Sequence, residues 1–437
     1  VLGAFVRAFR TPDLRNKLLF TLFILTIFRL GSVIPAPGIN SAAIRDQLEA
    51  VQQTDAAGVY ALINLFSGGA LLQLAVFALG IMPYITASII INLLTVVIPR
   101  LEALKKEGQA GQTKITQYTR YLTLALAILQ STSIIAMART GQLFQQQIPV
   151  SSYMPNQDLL TLVTIVFVMT AGTGIIMWFG ELITERGVGN GMSLLIFTQV
   201  IATFPSAIMT IFQEQEAWIF ALIVIAGIVL IAGVVFIEQA QRRIPVQYAK
   251  RMVGRRMYGG SSTYIPLKVN QAGIIPVIFA SSLLYLPQLA IGLMGQESDN
   301  VVVRFLSEYF VSGSHPVYMA TFFVLIVGFA FFYVAITFNP TEVADNMKKY
   351  GGFIPGIRPG RPTAEYLDYV LTRLTTPGSL YLGLIALLPM IAMGASGATQ
   401  NFPFGGTSIL IMVGVGLDTV KQIESHLQQR NYEGFLR

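Results

Sequence analysis

Apolar residues gather along this chain into ten long runs, near 16–34, 75–98, 117–138, 159–179, 190–212, 217–237, 272–294, 317–338, 377–394 and 407–423. Each run is close to the roughly 20 residues that carry a helix across a hydrocarbon layer. The pattern predicts an all-α polytopic membrane protein with ten transmembrane helices. One stretch departs from it, because residues 63–99 stay almost free of charge for longer than one crossing needs. Ser67-Gly68-Gly69 and Gly80-Ile81-Met82-Pro83 interrupt that stretch, and glycine and proline permit breaks in a helix. A short half-helix near 60–72 and a full helix from about 75 to 98 are expected. Broken backbone at membrane depth survives only within protein or along a water-filled cavity. The short piece therefore belongs inside a pathway, which points to a channel or a transporter.

Composition agrees with the pattern. Of 437 residues, 54% are hydrophobic and 12% charged, whereas a soluble domain carries about 25% charged residues. The absence of cysteine excludes disulfide and thiolate chemistry and leaves the redox compartment open. Arg7, Arg10, Arg15 and Lys17 precede the first apolar run, but no small-residue cleavage site follows it. That first helix is expected to serve as its own targeting signal, and an initiating residue or short tail is expected before Val1. Ten crossings place both termini on one side. The segments on that side hold 25 of the 29 lysines and arginines, so the termini are expected to be cytoplasmic and the net charge of +7 to reflect topology rather than nucleic-acid binding.

Ten helices divide into five and five, and five is odd. Any repeat would set two halves, 1–213 and 214–437, in opposite orientation, with a pathway at their interface. The boundary would fall at Phe212 to Ala217. Two cytoplasmic loops exceed what a connector needs. Residues 238–270 carry Arg242, Arg243, Lys250, Arg251, Arg255 and Arg256 around Val246-Gln247-Tyr248 and Gly254, which suggests a basic hairpin. Residues 339–376 carry a turn-rich tip, 351–360, and then a helical run from Thr363 to Thr375. The positive-inside rule alone accounts for basic loops, but their length and the arginines clustered at a tip favour docking surfaces.

Catalytic and coupling chemistry find little support. A buried ionisable group costs about 2.5 to 3.5 kcal/mol on insertion scales, so ion-coupled transporters reveal themselves by intramembrane carboxylates or histidines. The central parts of these helices hold none, and Arg29 is the main ionisable exception, expected to snorkel or to cap a helix end. Gly394-Ala395-Ser396-Gly397 matches the short pattern around the nucleophile of rhomboid-type intramembrane proteases, which also need a neighbouring histidine. His315 and His426 fall outside the membrane runs, so neither reaches that serine. Gly187-Val188-Gly189-Asn190-Gly191 lacks the strand that precedes a phosphate-cradling loop and fits a turn leading into a helix. What remains is aliphatic. Ile81 and Ile85 are four apart on one helix, as are Met192 and Ile196 on another; ordinary packing accounts for the spacing alone. Thr86, Ser88, Asn92, Gln130, Ser131, Thr132, Ser281 and Ser282 are positioned to pair across helices, at about 0.6 kcal/mol each, and so to mark a seam able to open toward lipid.

Several motifs then resemble one family. They are Asn64-Leu65-Phe66-Ser67-Gly68-Gly69, Ala78-Leu79-Gly80-Ile81-Met82-Pro83-Tyr84-Ile85, Lys105-Lys106-Glu107-Gly108, Gln117-Tyr118-Thr119-Arg120-Tyr121 and Ile183-Thr184-Glu185-Arg186-Gly187. Gly189-Asn190-Gly191, Pro266-Leu267-Lys268-Val269-Asn270, Phe353-Ile354-Pro355-Gly356-Ile357-Arg358-Pro359-Gly360 and Phe404-Gly405-Gly406-Thr407-Ser408 continue the series. Together, in order from the first helix to the last, they resemble the bacterial SecY family, the channel subunit of the general protein translocase.

The resemblance implies specific roles. Residues 60–72, with Leu65, Phe66, Ser67, Gly68 and Gly69, would form the plug that seats on the outer side of the pore. An aliphatic ring around the passing chain would comprise Ile81, Ile85, Met192, Ile196, Ile278 and Ile411. Met192 departs from the usual isoleucine and would make the seal more deformable. A lateral gate would lie between the second and third helices and the seventh and eighth, lined by Asn92, Gln130 and Ser282. Arg243, Arg255, Arg256 and Arg358 would dock the SecA motor ATPase or a ribosome, guanidinium suiting carboxylate and phosphate partners alike.

SecE and SecG would be companion subunits, with signal sequences, unfolded chains and lipid as further partners, in the cytoplasmic membrane of a bacterium. The expectation is a passive, non-enzymatic, cofactor-free protein-conducting channel. A small-solute secondary transporter is the alternative, and the missing intramembrane carboxylates speak against it.

Overall fold

The computed structural model describes residues 2–44, 68–71, 73–144, 148–214, 216–249, 251–253, 256–258, 260, 262–294, 301–310, 315–396 and 406–433. Long helices lie at all ten expected positions. They are α1 (Pro12–Gly31), α2 (Met82–Val97), α3 (Gln109–Arg139), α4 (Leu159–Arg186), α5 (Gly191–Glu214), α6 (Ala217–Gln239), α7 (Ile275–Met294), α8 (Pro316–Thr337), α9 (Arg361–Ser396) and α10 (Gly406–Glu433). Among the described residues, six of them are long and apolar enough to cross a membrane by length and composition alone. A seventh is added when α2 and the helix Pro99–Lys106, bent by 99° at Ile98, count as one span. Proline sits at the start of α1, α2 and α8, where its missing N–H costs nothing, and the His315 side chain caps α8 by accepting from Val317 N at 3.2 Å.

The packing is patterned. Within the first five helices α2 meets α3 and α4, α3 meets α4, α4 meets α5, and α1 meets both α4 and α5. Within the last five, α7 meets α8 and α9, α8 meets α9, α9 meets α10, and α6 meets α10. The two sets touch where α7 crosses α2 and α3, and where α5 lies on α10 and α6. One large apolar cluster runs through this assembly.

Several expectations need correction. The second helix starts at Met82, not near 75, and residues 75–81 form turns. The amides there bond elsewhere: Val76 N donates to Ile34 O at 2.9 Å and Ala36 N to Leu74 O at 3.0 Å, around a Pro35–Ala75 bridge. Leu74 and Gly80 also have φ of 47° and 57°, outside the helical region. Of the expected half-helix near 60–72, residues 60–67 and 72 lie outside the described residues, and residues 68–71 are turns. Thr363–Thr375 is helical as expected but does not end before the next crossing. It is the first part of α9, which runs through Pro377 and Pro389 as one 36-residue element.

The two long loops, 238–270 and 339–376, fold together. β1 (Gln241–Tyr248) pairs antiparallel with β4 (Ser262–Lys268), and beyond them β2 (Arg251–Val253) pairs with β3 (Arg256–Tyr258), giving the expected basic hairpin. The free edge of β1 then accepts β5 (Gly352–Phe353) from the second loop. Ile244, Val246 and Leu267 from the hairpin pack with Ile354, Leu367, Val370 and Leu371 from the second loop and α9 in a separate apolar core.

Candidate pore, plug, gate and docking platform

Five of the six residues expected in the ring are buried in the one large apolar cluster. Ile81 and Ile85 enter from the start of α2, Ile196 from α5, Ile278 from α7 and Ile411 from α10; none is more than 6% exposed, and all belong to the one large cluster. The contacts of α2 with α7 and of α5 with α10 place them there across both five-helix sets. Met192 is only partly buried and packs at the edge of this cluster. Its sulfur lies against Gly180 of α4, so close that a β-carbon on Gly180 would come within 2.4 Å of it.

On the plug segment only Gly68 and Gly69 are described; Leu65, Phe66 and Ser67 lie outside the described residues. Gly68 has a φ of 63°, and a β-carbon there would come within 3.0 Å of Arg29 Nη1 and 3.3 Å of Gln199 Cα. Glycine alone fits that seat without strain. Arg29 is half-buried and does not reach out to the surface. Its Nη1 donates to the Gly68 carbonyl at 2.6 Å, so the exceptional cation of α1 is spent on this segment.

At the proposed gate α7 packs against both α2 and α3, and the seam is closed. Asn92 is half-buried on α2, while Gln130 on α3 and Ser282 on α7 are fully buried. Both amide atoms of Gln130 are without a hydrogen-bond partner among the described residues. The expected cross-helix pairs mostly do not form. Thr86, Ser131, Thr132, Ser281 and Ser282 donate to carbonyls three or four residues back in their own helices. A hydroxyl inside a helix meets that carbonyl first. Ser131 Oγ also lies 3.4 Å from Thr170 Oγ1 of α4, which does link two helices.

Of the arginines expected to dock a partner, Arg243, Arg256 and Arg358 lie on the two joined loops. Arg243 projects from β1, exposed, with its guanidinium 4.8 Å from the Tyr264 ring centre. Arg256 opens β3, and Arg255 lies outside the described residues. Arg358 is exposed in the second-loop tip, whose backbone is held by Thr363 Oγ1 donating to the Arg358 carbonyl at 2.8 Å.

Polar contacts not foreseen from the sequence join several helices near their ends. Arg120 of α3 meets Glu181 of α4 through two bonds of 2.8 Å. The buried Glu238 at the end of α6 accepts from Asn270 Nδ2 at 2.6 Å, and Lys268 Nζ lies 3.3 Å from Asp418 of α10. An acid at the end of an otherwise apolar helix was the available signal. Asn190 Oδ1 caps Met192 N and Ser193 N, so the glycine cluster is a turn leading into α5. Among the described residues no group of acids and histidines could hold a metal.

These features have counterparts among known proteins. The SecY sequence profile matches residues 75–420. Protein translocase subunit SecY of Streptomyces galbus is 64% identical over 441 residues, and that of Mycobacterium bovis 59% identical over 443, each covering 100% of both chains. Among solved structures, one described as a protein conducting channel aligns with TM-score 0.61 at 19% identity, over 94% of this chain and 91% of its own. Sec61 in the canine ribosome-channel complex aligns with TM-score 0.59 at 18% identity over the same shares. Full-length identity of this order, on a fold shared with channels, leaves one conclusion: the chain belongs to the SecY family.

Proposed function

We propose that this chain, a protein-conducting channel by family, works as a passive pore that passes unfolded secretory polypeptides and releases apolar segments sideways into lipid. Two five-helix halves, 1–213 and 214–437, would frame it in inverted orientation. The contacts α2–α3, α3–α4, α4–α5, α2–α4 and α1–α5 each have a counterpart five helices later, which supports this division.

The observation that carries the reading is the burial of Ile81, Ile85, Ile196, Ile278 and Ile411, from four helices of both sets, in one apolar cluster. A collar of aliphatic side chains closes to ions by dewetting. It offers no hydrogen bond to a passing peptide, so the peptide is not held. An apolar signal sequence that opens the seam between α7 and α2–α3 would lower its energy in hydrocarbon.

The pore itself does no catalysis in this reading, and the driving force comes from a SecA motor or a ribosome on the joined platform of Arg243, Arg255, Arg256 and Arg358. SecE and SecG are the companion subunits. The membrane is the bacterial cytoplasmic membrane, with both termini cytoplasmic. Replacing Ile81, Ile278 and Ile411 together with glycine tests the collar. The resting channel in a planar bilayer should then leak ions, and unaltered conductance would remove these residues from the seal.

A further inference from the structure

Before α1 the chain forms a helix, Leu2–Arg10, that carries Arg7 and Arg10 and no acidic residue. Thr11 is extended, with φ −90° and ψ 114°, so this helix cannot run straight on into α1. Its side toward the protein is small: Ala8 is fully buried among Leu14, Leu18, Val188 and Ile423. The side away from Ala8 is different. Val6 and Phe9, three residues apart on one face, are 55% and 44% exposed. Arg7 and Arg10, also three apart, lie exposed on the neighbouring face, and Arg15 and Lys17 follow, exposed, in the first turns of α1.

This helix is therefore held to the bundle, one residue from α1, with exposed Val6 and Phe9 beside a row of four cations that holds a single acid, Asp13. That combination matches the boundary between acyl chains and anionic headgroups. We propose that Leu2–Arg10 is an interfacial helix that binds an anionic lipid surface: Val6 and Phe9 enter the acyl boundary, and Arg7 and Arg10, with Arg15 and Lys17, pair with headgroup phosphates. It is thereby the point at which the lipid composition of the membrane acts on the cytoplasmic end of α1 and, through Ile423, on α10. The proposal stands apart from the pore assignments.

The chain has no cysteine, so a single nitroxide can be placed without other changes. Phe9→Cys and Gly3→Cys are labelled in the full chain, reconstituted in phosphatidylcholine vesicles with or without phosphatidylglycerol, and collision rates with oxygen and with a water-soluble nickel chelate are read. Ile225→Cys, on the 62% exposed lipid side of α6, reports that the bundle is intact. The label at position 9 should favour oxygen and that at position 3 the chelate. Phosphatidylglycerol should draw position 9 deeper, and Arg7→Gln with Arg10→Gln should abolish that extra depth. A position-9 label as open to the chelate as position 3 overturns the proposal. So does one shielded from both reagents, which means that a protein covers the strip. Equal depth with and without phosphatidylglycerol overturns the anionic preference.

Discussion

The guanidinium of Arg29, near the end of α1, donates to the carbonyl of Gly68 at 2.6 Å, thirty-nine residues further along the chain. A half-buried cation there is costly, and this bond is its compensation. Gln199 closes the seat from the other side, and a left-handed glycine completes it. The contact ties the first helix to the end of the proposed plug.

Arg29→Met should therefore loosen the plug. A hydrogen bond to a charged group contributes about 1.5 kcal/mol or more, which corresponds to about a tenfold rise in the displaced population. Single-channel recording should show more frequent spontaneous openings of the resting channel. A closed probability equal to the parent's would dissociate this bond from plug seating.

Gln130 is buried in α3 with its amide unpaired among the described residues, beside the seam that α7 closes. Gln130→Leu keeps the volume and removes the desolvated polar atoms, worth about 1 to 3 kcal/mol. The closed seam should become more stable. Thermal unfolding in detergent should shift upward, while insertion of marginally apolar segments falls; a lower melting temperature would contradict it.

Arg358 stands exposed on a platform that β5 fastens to the hairpin. Arg358→Glu reverses its charge without touching the core beneath. Motor-driven export in vesicles should drop several-fold with unchanged assembly, and normal export would exclude this residue from docking.

Tyr153, in the connection between α3 and α4, is buried and donates to the Ala138 carbonyl, and burial pushes its phenol up to about 12. A raised phenol binds its proton more tightly in the folded state. Its contribution is complete below about pH 10, the ordinary tyrosine value, and is lost as pH rises toward the folded value. Tyr153→Phe should lower stability by about 1 kcal/mol at neutral pH and flatten the alkaline decline. Melting curves across that range, parallel for parent and variant, would refute the assignment.

The order of elements was legible because each crossing announces itself locally: about 20 apolar residues, bounded by prolines, caps and basic loops, need no distant information. On the same ground the alternating Val246-Gln247-Tyr248 marked the hairpin. The start of α2 was misplaced because residues 75–81 are as apolar as a helix, and only pairing of Leu74 and Val76 with Ala36 and Ile34 draws the backbone there into a turn. Likewise, hydroxyls on neighbouring helices looked ready to pair, whereas their own helices satisfy most of them.

By itself, then, the sequence determined what each segment is, since hydropathy acts through solvent on the segment alone. Tertiary structure alone decided which segments meet. The five isoleucines are buried in one apolar cluster, Arg29 reaches Gly68, and β5 joins two loops into one platform through contacts between residues far apart in the chain. Such contacts depend on the geometry of packed helices and strand edges, which no local pattern of polar and apolar residues encodes.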